Sequence, residues 1–215
     1  MNQGPPEVSR IERTLELARA AVNQQNPDRA IALVGTLSLQ GGEEGFERHW
    51  AESRLVLAEA YAAKGDFAAE SLFEEALELI RVLPQPEESL EVRAHEHFGD
   101  YLRCFAKRPS LARQNYEIAK KKAIGLRTQE DSARLQLKIE MIDLTMDESP
   151  ELENFKTLKR VGKEAGCTSA EQLAVWLQHK GEIGQHDQGL RFARNRDVAG
   201  EQYFKYLLGL IRKSS

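Results

Sequence analysis

At 215 residues, with 41% apolar and 30% charged side chains, the chain can bury a substantial core and falls outside the disordered and fibrous classes. Its net charge of −4 hides an asymmetry: −10 over residues 1–100, +1 over 101–154 and +5 over 155–215, a polarity able to orient a charged partner. No apolar run reaches the ~18 residues of a membrane span, and Cys104 and Cys167 match no metal or redox spacing, so the expected setting is the reducing cytoplasm, with no membrane partner.

In chain order, residues 1–10 (MNQGPPEVSR) show no signal-peptide plan and read as a disordered lead-in. A helix with the large-small pair Leu17-Ala18 follows, then a break at Pro27 and a second helix carrying Ala30, Val34 and Leu37. After QGGEEG at 40–45 comes Leu57-Ala58 with Tyr61, the turn Gly65-Asp66-Phe67, and Ala69, Phe73 and Ala76. Past Pro84 and Pro86 the same order returns as Phe98-Gly99, a turn at KRPSL, and Ala112, Tyr116 and Ala119. The small residues of each pair lie 12, 11 and 13 positions apart, and successive second helices are offset by 39 and 43.

Beyond Gln129 the pattern predicts one long helix to Asp147, with Thr128 and Asp131 as a capping arrangement. A helix with Leu152, Phe155, Leu158 and Val161 on one stripe follows. Another opens at Thr168 or Ser169, and the last segment forms one interrupted helix or two. Ala and Gly at the helix crossings let backbones approach, while Tyr61, Phe73 and Tyr116 fill the space between neighbouring pairs.

These residues resemble the tetratricopeptide repeat (TPR) family, best over about residues 11–125. The repeat from Glu52 to Leu83 matches at Leu57, Ala58, Tyr61, Gly65, Asp66, Phe67, Ala69, Phe73 and Ala76; Arg54 stands where the family carries a Trp, and the turn is one residue short. The offsets of 39 and 43 exceed the family's usual 34. The resemblance implies an all-α, right-handed α-α superhelix, a TPR-like helical-repeat solenoid of about ten helices. It would form one domain over 11–213, with repeats roughly at 11–45, 50–84, 88–125, 128–166 and 168–213.

Nothing in the sequence assembles a catalytic, cofactor or metal site. The glycine clusters lack the lysine and the strand-helix context of a phosphate loop. His95 and His97 project about 200° apart on a helix, and His179 and His186 have no partner ligand at useful spacing. Cys104 lies on a packed helix, unsuited to a nucleophile. The segment VGKEAGCTSAEQLAVWL resembles a DNA-reading helix-turn-helix in outline only, since its second helix has no base before Lys180. Lys120-Lys121-Lys122 reads as a solvated helix face without stacking aromatics, which disfavours nucleic acid.

The expected functional surface is a concave groove, one helical step from the packing residues of each first helix. It comprises Glu16 and Arg19, then Glu52, Leu55 and Glu59, then Arg93, Glu96, His97, Asp100 and Arg103, five acids to three arginines. By the resemblance such grooves hold peptides or helices. Their acidity points to a partner with a basic segment, so that reversing Glu59 and Asp100 to Lys should weaken binding without moving the thermal midpoint. The tail EQYFKYLLGLIRK offers a second surface, with Tyr203, Phe204, Leu207, Leu208 and Ile211 covering more than one helix face. It either packs under the last repeat or mediates self-association into a homo-oligomer. The functional expectation is a non-enzymatic protein-interaction module without cofactor or metal. The alternatives are a regulatory sensor of a peptide or small ligand, or a nucleic-acid-associated factor.

Overall fold

Proline opens three of the helices, where its missing N–H and fixed φ suit a first turn. The computed structural model describes residues 6–37 and 45–146, together with Thr157 and Arg160. The helices are α1 (Pro6–Asn23), α2 (Pro27–Gly35), α3 (Glu47–Ala63), α4 (Ala68–Arg81), α5 (Glu88–Cys104), α6 (Pro109–Gly125) and α7 (Gln129–Met146). No strand occurs among the described residues. Helix α1 starts at Pro6, so residues 6–10 belong to it and not to a disordered lead-in. The chain divides into two units, Met1–Asn115 and Tyr116–Ser215, with the boundary inside α6, where the sequence suggests a single domain over 11–213.

In the first unit each helix packs on the next from α1 to α5, and α3 also touches both α1 and α5. Ala18, Ala30, Ala58, Ala60, Ala69 and Ala76 are wholly buried, which lets these helix backbones approach closely. Phe73 fills the space beside them, stacked on Phe98 at 5.2 Å and tilted against Tyr101 at 6.1 Å; burying one such ring contributes about 2–3 kcal/mol. Tyr61, expected to fill a similar gap, is only half-buried. It lines an open cleft between α2, α3 and α4.

The α3–α4 turn explains its own sequence. Gly65 has φ +69°, and the N–H of Asp66 reaches back to the Tyr61 carbonyl at 3.0 Å, the way helices end on a left-handed residue. The Asp66 carboxylate then accepts the N–H of Ala68 at 2.9 Å and starts α4. Phe67, the aromatic of that motif, is 79% exposed and adds nothing to the core. The Phe105 ring comes over the same turn, its Cε1 3.2 Å from where a Cβ on Gly65 would sit.

Ion pairs join residues near the helix ends. The Lys64 ammonium donates to Asp28 at 2.6 Å, which holds its pKa above the usual lysine value. Arg108 pairs with Glu70 and is likewise raised. Close by, the Tyr101 hydroxyl is buried with no hydrogen-bond partner. Burial, followed by the Glu70 charge, pushes its phenol up.

In the second unit Tyr116, Ala119 and Ala123 of α6, and Leu135, Ile139 and Ile142 of α7, are buried at helical spacing. The Thr128 hydroxyl donates to the Ala123 carbonyl at 3.0 Å, and the Thr128 carbonyl accepts the N–H of Ser132 at 3.1 Å. The residue thus joins the end of α6 to the start of α7, while Asp131 pairs with Arg134 at 2.8 Å.

Two substitutions test this packing. Gly65→Ala combines a left-handed φ with a crowded Cβ, and should lower stability by about 1–2 kcal/mol in urea denaturation; an unchanged midpoint would contradict the turn geometry. Tyr101→Phe removes an unpartnered hydroxyl and should leave stability at pH 7 equal or higher. Because the folded phenol holds its proton more tightly than the unfolded one, the wild type loses stability as pH rises past the unfolded value of about 10. The variant should lack that loss in alkaline thermal melts.

Candidate functional site

Helix α3 carries two different faces. Glu52 and Glu59 are seven residues apart and so share one side, while Trp50, Arg54, Leu57 and Tyr61 line up on the opposite side.

On the first side the expected groove acids lie beneath arginines. Glu52 and Glu59 are each only 5% exposed. Arg19 of α1 reaches Glu52 at 2.9 Å, with Arg48 at 3.9 Å and Arg93 of α5 at 3.8 Å. Arg93 grips Glu59 through two parallel bonds, Nε to Oε1 at 2.8 Å and Nη2 to Oε2 at 2.5 Å, the fork geometry that makes such pairs strong. His97 Nδ1 lies 3.4 Å from the same carboxylate, and Arg48 Nε donates to Glu87 at 2.9 Å.

This corrects the picture of a surface of acids awaiting a basic segment. Leu55 is fully buried, and Glu52, Glu59, Glu96 and Arg103 are buried as well. Glu16 is exposed, and Arg19, Arg93, His97 and Asp100 are half-buried. Glu96, Asp100 and Arg103 carry interactions of their own. A buried carboxylate is tolerated only when paired, so these acids serve the joint between α1, α3 and α5. Arg48 and Glu87 complete the network and were absent from the expected set. The signal was there in complementary charges at similar separations: Glu59 with Arg93 at 34 positions, Arg48 with Glu87 at 39 and Asp28 with Lys64 at 36.

On the opposite side of α3 an open cleft of about 530 Å³ lies between α2, α3 and α4. Ile31, Val34 and Leu37 wall it from the α2 side, Trp50, Leu57 and Tyr61 from α3, and Leu72 from α4. Trp50, Leu57 and Tyr61 are each half-buried there. The Arg54 guanidinium lies 5.8 Å from the centre of the Trp50 ring, one turn away on α3. Its Nε lies 3.1 Å from Glu75 Oε1.

Compared with protein-family models, curated proteins and solved structures, the chain matches none.

The remaining sequence candidates are dispersed. His95 Nδ1 bonds Asn115 Oδ1 at 2.8 Å while His97 faces Glu59, so the two rings serve different partners. No group of three metal-ligating residues forms among the described residues, and no described helix is long and apolar enough to cross a membrane. In the second unit Lys121 is exposed, whereas Lys120 is half-buried and bonded to Gln136, so the triplet is not one uniform solvated face. Cys167, His179, His186, the Cys-Thr turn segment and the tail residues Tyr203, Phe204, Leu207, Leu208 and Ile211 lie outside the described residues.

The buried acids reverse one expectation. Glu59→Lys sets a cation against Arg93 and His97, and should cost roughly 2–3 kcal/mol because one partner of a mostly buried pair is lost. The thermal midpoint should fall by about 4–10 °C in calorimetry. A midpoint within one degree of wild type would return Glu59 to the surface.

Proposed function

We propose that the chain is a non-enzymatic, helical-repeat interaction module of tetratricopeptide type, binding a peptide or helix of a partner protein on a preformed helical surface. Two observations support the repeat reading. The first helices of successive pairs, α1, α3 and α5, are neighbours, and the small residues at matching positions are all buried. The observation that carries the binding reading is the cleft between α2, α3 and α4. It leaves Trp50, Leu57 and Tyr61 partly open on packed helices, so a docking segment orders itself without having to order the receptor.

The charged side of α3 is the weaker candidate. Its carboxylates are already compensated, and a basic segment would have to displace Arg19, Arg48 or Arg93 from short contacts. An apolar anchor in the cleft needs no such displacement, and hydrophobic anchors in pockets usually dominate binding energy.

Selection of a random twelve-residue peptide library on the intact chain should recover binders with Kd of about 1–100 μM, the range of small peptide interfaces. Their affinity should change little between low and moderate salt, and Leu72→Glu should weaken it at least tenfold with the circular dichroism spectrum retained. Oligonucleotide binding with a steep salt slope, and no peptide recovered, would contradict the reading.

A further inference from the structure

We propose that the α2–α3–α4 cleft recognises a partner segment that places a carboxylate beside one or two large apolar side chains, with Arg54 as the residue that reads the carboxylate. This rests on the interaction-module reading and names the chemistry of its ligand.

Among the residues that line the cleft, Arg54 alone is charged. Everything else there is apolar, aromatic or a neutral hydroxyl, so a ligand entering it meets one cation on an apolar floor. The position of that cation is fixed from two directions. The Trp50 ring holds the guanidinium from one side by cation–π attraction, and the Glu75 carboxylate approaches Nε from another.

The Glu75 contact does not use up the group. Arg54 Nε is buried and makes no aligned hydrogen bond, although it lies within ion-pair distance of Glu75. A guanidinium has five N–H donors, and among the described residues no hydrogen bond takes any of them. Two parallel donors on a planar fork are the natural receptor for a carboxylate, and neither the Trp50 ring at 5.8 Å nor the Glu75 contact at Nε occupies the terminal nitrogens. Glu75 is 41% exposed and stands outside the lining. It can share the guanidinium with an incoming acid, because its contact runs through Nε and the terminal nitrogens are the pair a second carboxylate would grip.

The size of the cleft limits what accompanies the acid. An apolar cavity of about 150 Å³ holds one benzene-sized group, so about 530 Å³ of open cleft takes two or three side chains and not a whole domain. With walls on three helices and one side open, it suits side chains projecting from a chain that continues across the surface. Ile31 of α2 and Leu72 of α4 are among its apolar lining, together with Tyr61 of α3.

The position is also where the chain departs from the repeat pattern. Arg54 occupies the place of the family's Trp, while the chain's own Trp50 stands one turn earlier.

The test uses a peptide selected on the intact protein and its acid-to-amide isostere (Glu→Gln or Asp→Asn), titrated by fluorescence anisotropy against wild type, Arg54→Gln and Arg54→Lys. We expect selected sequences rich in an acid next to aromatic or aliphatic residues. On wild type the isostere should bind ten- to fiftyfold more weakly. On Arg54→Gln the peptide and isostere should differ less than threefold, and Arg54→Lys should recover only part of the difference because it lacks the fork. Equal losses on wild type and Arg54→Gln, or a consensus dominated by Lys and Arg, would overturn the assignment while leaving the module reading intact. Failure to recover any peptide would remove both. Should Arg54→Gln fail to fold, Glu75→Gln supplies the second arm: it releases the guanidinium and should tighten the acidic peptide. Unchanged or weaker binding there would count against Arg54 as the reader.

Discussion

Glu52 and Glu59 lie on α3 almost wholly out of water, and a bare carboxylate in that setting would cost several kcal/mol. They are tolerated because guanidinium groups arrive from the neighbouring helices, Arg19 from α1 and Arg93 from α5, with Arg48 from α3 itself. The geometry of the α1–α3–α5 row therefore has to satisfy these pairs as well as the apolar contacts. Ala18, Ala58 and Ala60 supply the close approach. The arginine forks supply directionality, since a sideways slip of a helix by one turn would leave a charge buried without its partner.

That commitment on one side of α3 sets the character of the other. Trp50, Arg54, Leu57 and Tyr61 line the cleft between α2, α3 and α4 because their spacing puts them opposite the buried acids. One helix thus carries a buried charge network on one side and an open, largely apolar cleft on the other.

Much of the first unit was legible in the sequence. The small members of the large-small pairs, the Ala-Phe-Ala spacing and the Gly-Asp turn each state a local packing requirement and are buried or end a helix as expected, whereas the large Leu17 is exposed and Leu57 half-buried. Proline positions gave helix starts for the same reason, since their chemistry is local. What the residues did not give was the depth of the charged side chains. One helical step of rotation was enough to place Glu52 and Glu59 on the α1–α3–α5 side, but burial depends on what the next helix brings, and Arg93 brings a fork instead of an open groove. Tyr61 failed in the opposite direction: its spacing says core, yet it lines an open cleft and is only half-buried. Thr128 shows a third limit: its place before α7 was legible, but not the bond its hydroxyl donates back to Ala123 of α6.

The central claim is that α3 is held to α5 by a buried, specific ion pair and not by loose surface charge. A double-mutant cycle on Glu59→Gln and Arg93→Gln, followed by urea denaturation, measures it most directly. Each single change strands a charge, so the double variant should be more stable than the sum of the two singles by about 1.5–3 kcal/mol. Additive losses within about 0.5 kcal/mol, the behaviour of independent surface sites, would contradict the account.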